Sequence, residues 1–580
     1  MFDNVAEQNT GGMKTVRVRL WPAVAIALLH VAAAVALRSF GSTNNIENGI
    51  ALGGIPLVST LLFAFWWLVF SRVPVWSRVV GFVLFAIAAA VIVLSQRPVW
   101  FGALLIAIAL PYLTIGTVLV LLATYRMRWS SRRWLLVAYL SGCMAVFCAL
   151  RVESLGGDLA PVMSWRWNPT VVERSEMDLA FEGGGVAELP PAAGPDDWPD
   201  FRGAGRQAIP KRGRSRRPPS FSARQAWRRP IGAGWSSFIA VGDYLFTQEQ
   251  RGEEELVTCY EAATGEPVWK NAVQAVFDDA MGLGPRATPV YAEGRLYTQG
   301  CTGIVQCLDA ATGETLWRHD LTEVAERDVP MYGFCSSPLV AGPLVIAFAG
   351  GGEGKCLLAY DRLTGEEAWR GGEFGGGYCS PILDAVRGVL QVVMASNAGL
   401  EAFVPETGDR LWAYAWKSEK YPRSVQPVVN NEEYVILPAT TGTGTRLVHV
   451  TKEDFEWSSE EVWTCEKYRP YFNNGVLHKG HYYGYDGERL ACLDVETGER
   501  LWKGESFSGQ VLLIAEMDLL LVLSEKGEVA YVPAVPGGFS VTARFPAITG
   551  KTWNHPIIAH GRLYVRNAEE AACFELAVEE

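Results

Sequence analysis

Carboxylates are almost absent from the first 150 residues, and none lies between Glu47 and Glu153. A stretch of that length without an acid is not the surface of a water-soluble domain, which mixes both signs of charge. Histidine is scarce, with seven in 580 residues, and no CxxC pair or His-rich spacing occurs, which argues against a zinc site. No two cysteines are adjacent. Gly350-Gly351-Gly352-Glu353-Gly354-Lys355 lacks the Ser or Thr after Lys and the spacing of a phosphate loop. No Ser-His-Asp set with a nucleophile elbow is found. Net charge is −11, so nucleic acid is not an expected partner. The basic run Lys211-Arg212-Gly213-Arg214-Ser215-Arg216-Arg217 reads as a solvated loop.

What fills the first 150 residues is Ala, Val, Leu and Ile. Apolar stretches run approximately over 20–37, 50–70, 79–94, 99–123 and 134–150, each near the ~20 residues that cross a bilayer. Trp21, Trp66, Trp67, Trp76, Trp100 and Trp134 sit mostly near stretch ends, as interfacial anchors do. Lys14, Arg17 and Arg19 precede the first stretch, Arg72 and Arg78 separate the second from the third, and Arg126, Arg128, Arg132 and Arg133 separate the fourth from the fifth. The alternate loops hold only Arg38 and Arg97. Positive charge stays inside, so five crossings predict a cytoplasmic N-terminus and an exported C-terminal half. His30, Cys143 and Cys148 fall within stretches without an accompanying acid and read as packed side chains.

The second half is built on a repeat. YEAATGEPVWK from Tyr260, LDAATGETLWR from Leu308, YDRLTGEEAWR from Tyr360, FVPETGDRLWA from Phe403 and LDVETGERLWK from Leu493 share Thr-Gly followed four residues later by Trp. The pairs are Gly265 with Trp269, Gly313 with Trp317, Gly365 with Trp369, Gly408 with Trp412 and Gly498 with Trp502. Each copy reads as a half-buried strand, a turn in which an acid bonds to amides ahead and Gly takes positive φ, and a second strand ending in bulk. The Trp intervals are 48, 52, 43 and 90 residues, and Trp463 splits the last. Trp227 before and Phe545 after bring the marks to eight. After Phe545 come three strands without a fourth, while 222–227 is one strand without the other three. Joining the two ends closes an eight-bladed propeller and removes its sheet edges.

Inner strands repeat too, as Ala287-Thr288-Pro289, Ser336-Ser337-Pro338, Cys379-Ser380-Pro381 and Val425-Gln426-Pro427. Proline is tolerated at a strand's start, and these segments are predicted to line the central channel. Their surroundings supply the channel-side candidates Arg286, Arg423, Asn473, Asn474, Asn554 and His555, with Asp278-Asp279 as the nearest acidic pair. Cys259, Cys307, Cys492 and Cys573 occupy one repeat position, too far apart to pair, and read as small buried strand residues. Cys335 and Cys379 precede inner strands of adjacent blades and are the candidates for a disulfide at the channel mouth.

The five Thr-Gly…Trp copies resemble the repeat of the pyrroloquinoline quinone (PQQ) propeller superfamily, and Asp197-Trp198-Pro199-Asp200-Phe201-Arg202-Gly203 resembles the opening that precedes many such propellers. The resemblance implies one of three branches: quinoprotein alcohol dehydrogenases, membrane-bound glucose dehydrogenase with five N-terminal helices, or non-enzymatic propellers similar to the outer-membrane assembly lipoprotein BamB. The first two imply PQQ, with calcium and a general-base Asp beside it. The alcohol dehydrogenases add a disulfide of adjacent cysteines, which this chain lacks. Short blades without inter-blade insertions fit the BamB-like branch, although five helices stand where that branch has a lipid anchor.

The expectation is therefore a cytoplasmic N-terminus (1–19), a five-helix membrane domain (20–152), an acidic Pro/Gly linker (153–196) and a periplasmic PQQ-like propeller (197–580) at the inner membrane. Its expected role is to bind a cell-envelope protein or peptide through propeller loops, with lipid around the helices, no cofactor and no catalysis. The alternative is a PQQ-dependent sugar or alcohol dehydrogenase passing electrons to ubiquinone.

Overall fold

A computed structural model describes residues 18–40, 45–96, 99–157, 160–177, 185–210, 223–352, 354–418, 421–439 and 443–576. Lys14, Arg17, Arg97 and the basic run at 211–217 lie outside the described residues. The chain divides into two compact units, Met1–Asn168 and Pro169–Glu580.

The first unit holds five long helices, α1 (Trp21–Phe40), α2 (Asn45–Phe65, continued by a π-turn over Trp66–Phe70), α3 (Val75–Leu94), α4 (Val99–Ala123) and α5 (Trp129–Ala149). Four segments are long and apolar enough to cross a membrane, Gly53–Phe70, Val75–Leu94, Phe101–Ala123 and Trp129–Ala149, while the apolar part of α1 is the shorter Trp21–Leu37. Helix α5 starts five residues before the apolar stretch, so Arg132 and Arg133 are helical rather than in a loop. The Arg132 guanidinium is buried and donates to Leu121 O at 2.7 Å and to Thr124 Oγ1 at 3.3 Å, which satisfies it inside the bundle. His30 Nδ1 lies 2.7 Å from Ser59 Oγ. Within the stretch expected as a linker, Leu150–Leu155 and Pro161–Trp165 pair as an antiparallel hairpin.

The second unit contains eight four-stranded antiparallel sheets. Seven are consecutive, spanning 239–274, 290–320, 339–371, 382–415, 428–465, 476–506 and 510–546. In the eighth, Ile557–Ala559, Arg562–Arg566 and Glu570–Glu575 take their outer strand from Arg224–Pro230, with Trp227 opposite Cys573.

The repeat works between blades. Trp269 presses its ring on Gly313 of the next blade, where a Cβ would come within 2.4 Å of it. Gly313 has φ +75°, a conformation costly for other residues, so its lack of a side chain serves both turn and contact. The Trp269 indole N–H then donates to Ala310 O in that same turn at 3.2 Å. Trp227, Trp317, Trp369, Trp463 and Trp502 likewise donate to a turn carbonyl one blade on. Trp412 donates instead to Gln391 Oε1, because the following blade has the hairpin tip Asp454-Phe455 in place of Thr-Gly. The turn acid acts as its chemistry requires: Asp309 Oδ1 accepts from the amides of Ala311 and Thr312. Cys259, Cys307 and Cys492 each sit opposite a latch tryptophan as buried, free thiols, small where the partner is large.

Candidate functional site

Eight inner strands converge on a central cavity of about 230 Å³. Its floor is a ring of polar side chains, one per blade, and seven of the eight accept a backbone N–H of the blade before. Ser237 N donates to Thr288 Oγ1 at 3.1 Å, Thr288 N to Ser337 Oγ at 2.9 Å and Ser337 N to Ser380 Oγ at 2.9 Å. Ser380 N continues to Gln426 Oε1, Gln426 N to Asn474 Oδ1 and Asn474 N to Gln510 Oε1, at 3.2, 2.8 and 3.4 Å. His555 N donates to Ser237 Oγ at 2.8 Å, joining the eighth blade to the first. These seven bonds stitch the inner strands together.

Side chains alternate along a strand, so the residue two before a floor position also faces the cavity in seven of the eight blades. These positions hold Trp235, Arg286, Cys335, Tyr378, Ser424, Phe472 and Trp553, and Tyr332 and Tyr421 join them from the preceding loops. Trp235 and Trp553 rings lie 4.9 Å apart, Phe472 and Trp553 5.0 Å, and Tyr332 and Tyr378 5.4 Å. The result is an aromatic cup over a polar floor. Lys551 lies over Trp235 and Trp553 at 4.8 and 4.4 Å and donates to Met281 O at 2.7 Å. Burial pushes its ammonium down to about 7.

The cup is blind. Residues 198–208 run beneath the floor and bond to inner strands around the ring. Trp198 exchanges hydrogen bonds with Ala240, Pro199 O accepts Tyr291 N, and Ala208 O accepts Leu513 N. Arg206 donates to Ser337 O and Pro381 O, and to Pro338 O, while its salt bridge to Asp200 is 2.9 Å. Arg202 donates to Gly475 O at 2.6 Å. Phe201 meets the edge of His555 at 5.3 Å and forms part of the cup's lining. Arg202, Arg206 and Ala208 all have positive φ, so tertiary contacts hold this plug in a shape its own residues disfavour. The Asp-Trp-Pro opening is thus a stopper.

Strand parity sorts the sequence candidates. Arg286 and His555 line the cup, as does Asn474. Asn473 and Asn554 are one residue out of phase and point sideways, donating to Gly509 O, and to Gly234 O and Ser236 O. Arg423 is fully buried between blades, where it donates to Ser396 O, Pro438 O and Trp416 O. Cys335 and Cys379 are not bridged: both are free thiols, donating to Tyr332 O and Val425 O, and Cys379 has the sideways parity. The aromatic wall was not among the candidates. The signal for it was the residue two before each floor position.

Arg286 is a poor anchor for an added anion, because Asp279 already holds it at 2.8 Å. No carboxylate is among the cup's lining residues, and no group of three His, Cys, Asp or Glu side chains converges among the described residues. The oxygens of seven floor side chains already accept backbone N–H groups. Calcium takes 6–8 oxygens, carboxylates prominent among them, so this donor set does not fit the calcium-bound quinone of the dehydrogenase branches.

Residues 253–503 match the family described as outer membrane protein assembly factor BamB. No curated protein matches the chain. Among solved structures, BamB from Moraxella catarrhalis aligns at 15% identity over 62% of this chain and 99% of its own, with a TM-score of 0.44. A quinohemoprotein alcohol dehydrogenase from Comamonas testosteroni aligns at 14% over 66% and 81%, TM-score 0.49. Quinohemoprotein alcohol dehydrogenase ADHIIG from Pseudomonas putida HK5 aligns at 14% over 68% and 84%, TM-score 0.50. At 14% identity and a TM-score of 0.50, the last of these speaks for the fold and nothing finer.

Proposed function

Starting from a propeller of PQQ-like, BamB-type repeats, we propose that this protein is a membrane-anchored scaffold whose propeller binds a cell-envelope protein without catalysing a reaction. The observation that supports it is the cup's donor set. Its floor oxygens are spent on the blades, its walls are aromatic, and no carboxylate stands ready to hold a hard cation or take a proton. Aromatic-lined grooves are among the surfaces that dock extended peptide segments. In this reading all five helices cross the inner membrane, the N-terminus is cytoplasmic and the propeller is periplasmic, as the basic residues favour.

The test places a photo-crosslinking amino acid at Met331, beside Tyr332 and 76% exposed, in the full-length protein in native membranes. A discrete protein adduct is expected. Dye reduction by glucose or ethanol that depends on added PQQ and calcium would overturn the reading in favour of the dehydrogenase. A C-terminal alkaline phosphatase fusion checks orientation, with activity expected.

A further inference from the structure

A second cavity, of about 420 Å³, opens in the helical unit between α2, α3 and α5, with Thr117 contributed by α4. Its walls are largely apolar, and Trp67, Trp76, Trp129 and Trp134 stand among them. Trp67 donates its indole N–H to Arg78 O at 3.0 Å and Trp129 to Ser77 Oγ at 3.3 Å. Both rings are thus held by their polar edge and offer the rest of their surface to an apolar occupant.

One end of this groove is basic. Its walls come from the C-terminal end of α2 and the N-terminal halves of α3 and α5, which are the ends where Arg72, Arg78, Arg126, Arg128, Arg132 and Arg133 gather. No acid occurs from 48 to 152, so the loops joining these helices carry no counter-ion. Arg78 donates to Val73 O and Leu68 O at 2.5 and 2.8 Å, and Arg132 to Leu121 O at 2.7 Å. Arg133 is different. It is the one charged residue among the groove's lining residues, and it is exposed. Its guanidinium meets the Trp134 ring at 5.7 Å and makes no hydrogen bond or ion pair among the described residues.

An apolar groove that ends in an unspent fork of N–H donors complements a molecule with hydrocarbon at one end and an oxyanion at the other. In a bilayer an anionic phospholipid has that form. Its phosphate accepts two parallel bonds from a guanidinium, and basic pockets between membrane helices hold such headgroups. A neutral isoprenoid leaves Arg133 without a counter-ion, and a zwitterionic lipid brings its own ammonium into a field of six arginines.

We propose that the groove binds one anionic phospholipid, with an acyl chain along the four tryptophans and the phosphate on Arg133. The inference rests on the reading that these helices span the membrane, and it names the lipid that they hold.

The experiment mixes the full-length protein in dodecyl maltoside with equimolar phosphatidylglycerol and phosphatidylethanolamine and counts retained lipid by native mass spectrometry. One phosphatidylglycerol per chain is expected, favoured about tenfold over phosphatidylethanolamine. Arg133→Gln should lower that retention about tenfold, and Ala64→Phe, which fills the groove, about as much, while the propeller's thermal midpoint stays unchanged. Arg126→Gln removes an arginine at the same end that does not line the groove, and should change retention less than about twofold. Equal retention of the two lipids overturns the proposal. So do equal losses in the Arg126 and Arg133 variants, which would mean diffuse surface attraction, and so does capture of a fatty acid or an isoprenoid quinone instead. Failure here is separable from failure of the membrane reading. Release of the unmodified protein from native membranes by sodium carbonate would sink that reading, whereas a carbonate-resistant protein that retains no phosphatidylglycerol rejects only this site.

Discussion

In the helical unit Trp21, Trp76 and Trp134 are 66%, 78% and 65% exposed, whereas Trp227, Trp269, Trp317, Trp369, Trp412 and Trp502 of the propeller are at most 9% exposed. Those three helix tryptophans are turned outward, while Trp66 and Trp67 pack inside the bundle and the propeller's six are turned inward. In water, burying an indole is favourable and its N–H must find a partner, which the neighbouring blade's turn carbonyl provides. In hydrocarbon there is no gain from hiding apolar surface, and what must be hidden is polarity. Arg132, Gln96 and Ser71 are accordingly among the buried groups of the helical unit, and each bonds to backbone carbonyl oxygen. The contrast fits a membrane-associated protein whose two units are adapted to different solvents.

Six substitutions sharpen that contrast. The largest effect is expected from the plug. Arg206→Met leaves Asp200 buried without its partner and several inner-strand carbonyls without a donor, costing about 3–5 kcal/mol in denaturant unfolding of the propeller. A cost near zero would mean that the plug is not part of the propeller's stability. Next comes Gly313→Ala, where φ is +75° and the Trp269 ring blocks the Cβ, at about 2–4 kcal/mol. Its counterpart Gly142→Ala in α5 meets nothing within 4 Å and should change the thermal midpoint of the helical unit little. Equal effects at the two glycines would erase the distinction between the units.

Trp269→Phe removes the indole N–H from Ala310 O and should cost about 1–3 kcal/mol, while Trp76→Phe, exposed on α3, should stay within about 0.5 kcal/mol. The last effect is a pH slope. Lys551 is held near 7 in the folded chain, below its unfolded value of 10.5, so the unfolded chain binds more protons between those pH values. Stability contributed at this site therefore rises with pH across that window and is lowest below it, where the buried ammonium is charged. Comparing urea midpoints of the wild type and Lys551→Met from pH 7 to 10 should show the variant's advantage shrinking as pH rises. A constant gap would place Lys551 in solvent.

Much of the propeller was legible from sequence because its local rules repeat. Asp309-Ala310-Ala311-Thr312-Gly313 announces its turn through an acid that bonds to amides ahead and a glycine at positive φ, and five such copies, with Trp463, Trp227 and Phe545 as weaker marks, count out eight blades. The candidate site was legible only in part. Arg286 and His555 were found, but Asn473 and Asn554 were chosen beside them although one residue of phase turns their side chains away. Arg423 carries a charge that suggests a ligand and spends it on backbone carbonyls. The helical boundary near Arg132 failed for a related reason, since hydropathy cannot anticipate an arginine satisfied from within a bundle.

By itself the sequence determined two chemically distinct halves, the acid-free apolar stretches and the eight-fold repeat, because both are written in local composition and periodicity. Only the tertiary structure decided that Trp269 belongs to the next blade's Gly313 rather than its own turn, that residues 198–208 stop the channel, and that the cup is walled by aromatics. Those contacts join residues from different blades, and closure of the ring brings them together. Nothing in the neighbouring sequence of any one of them records the partner.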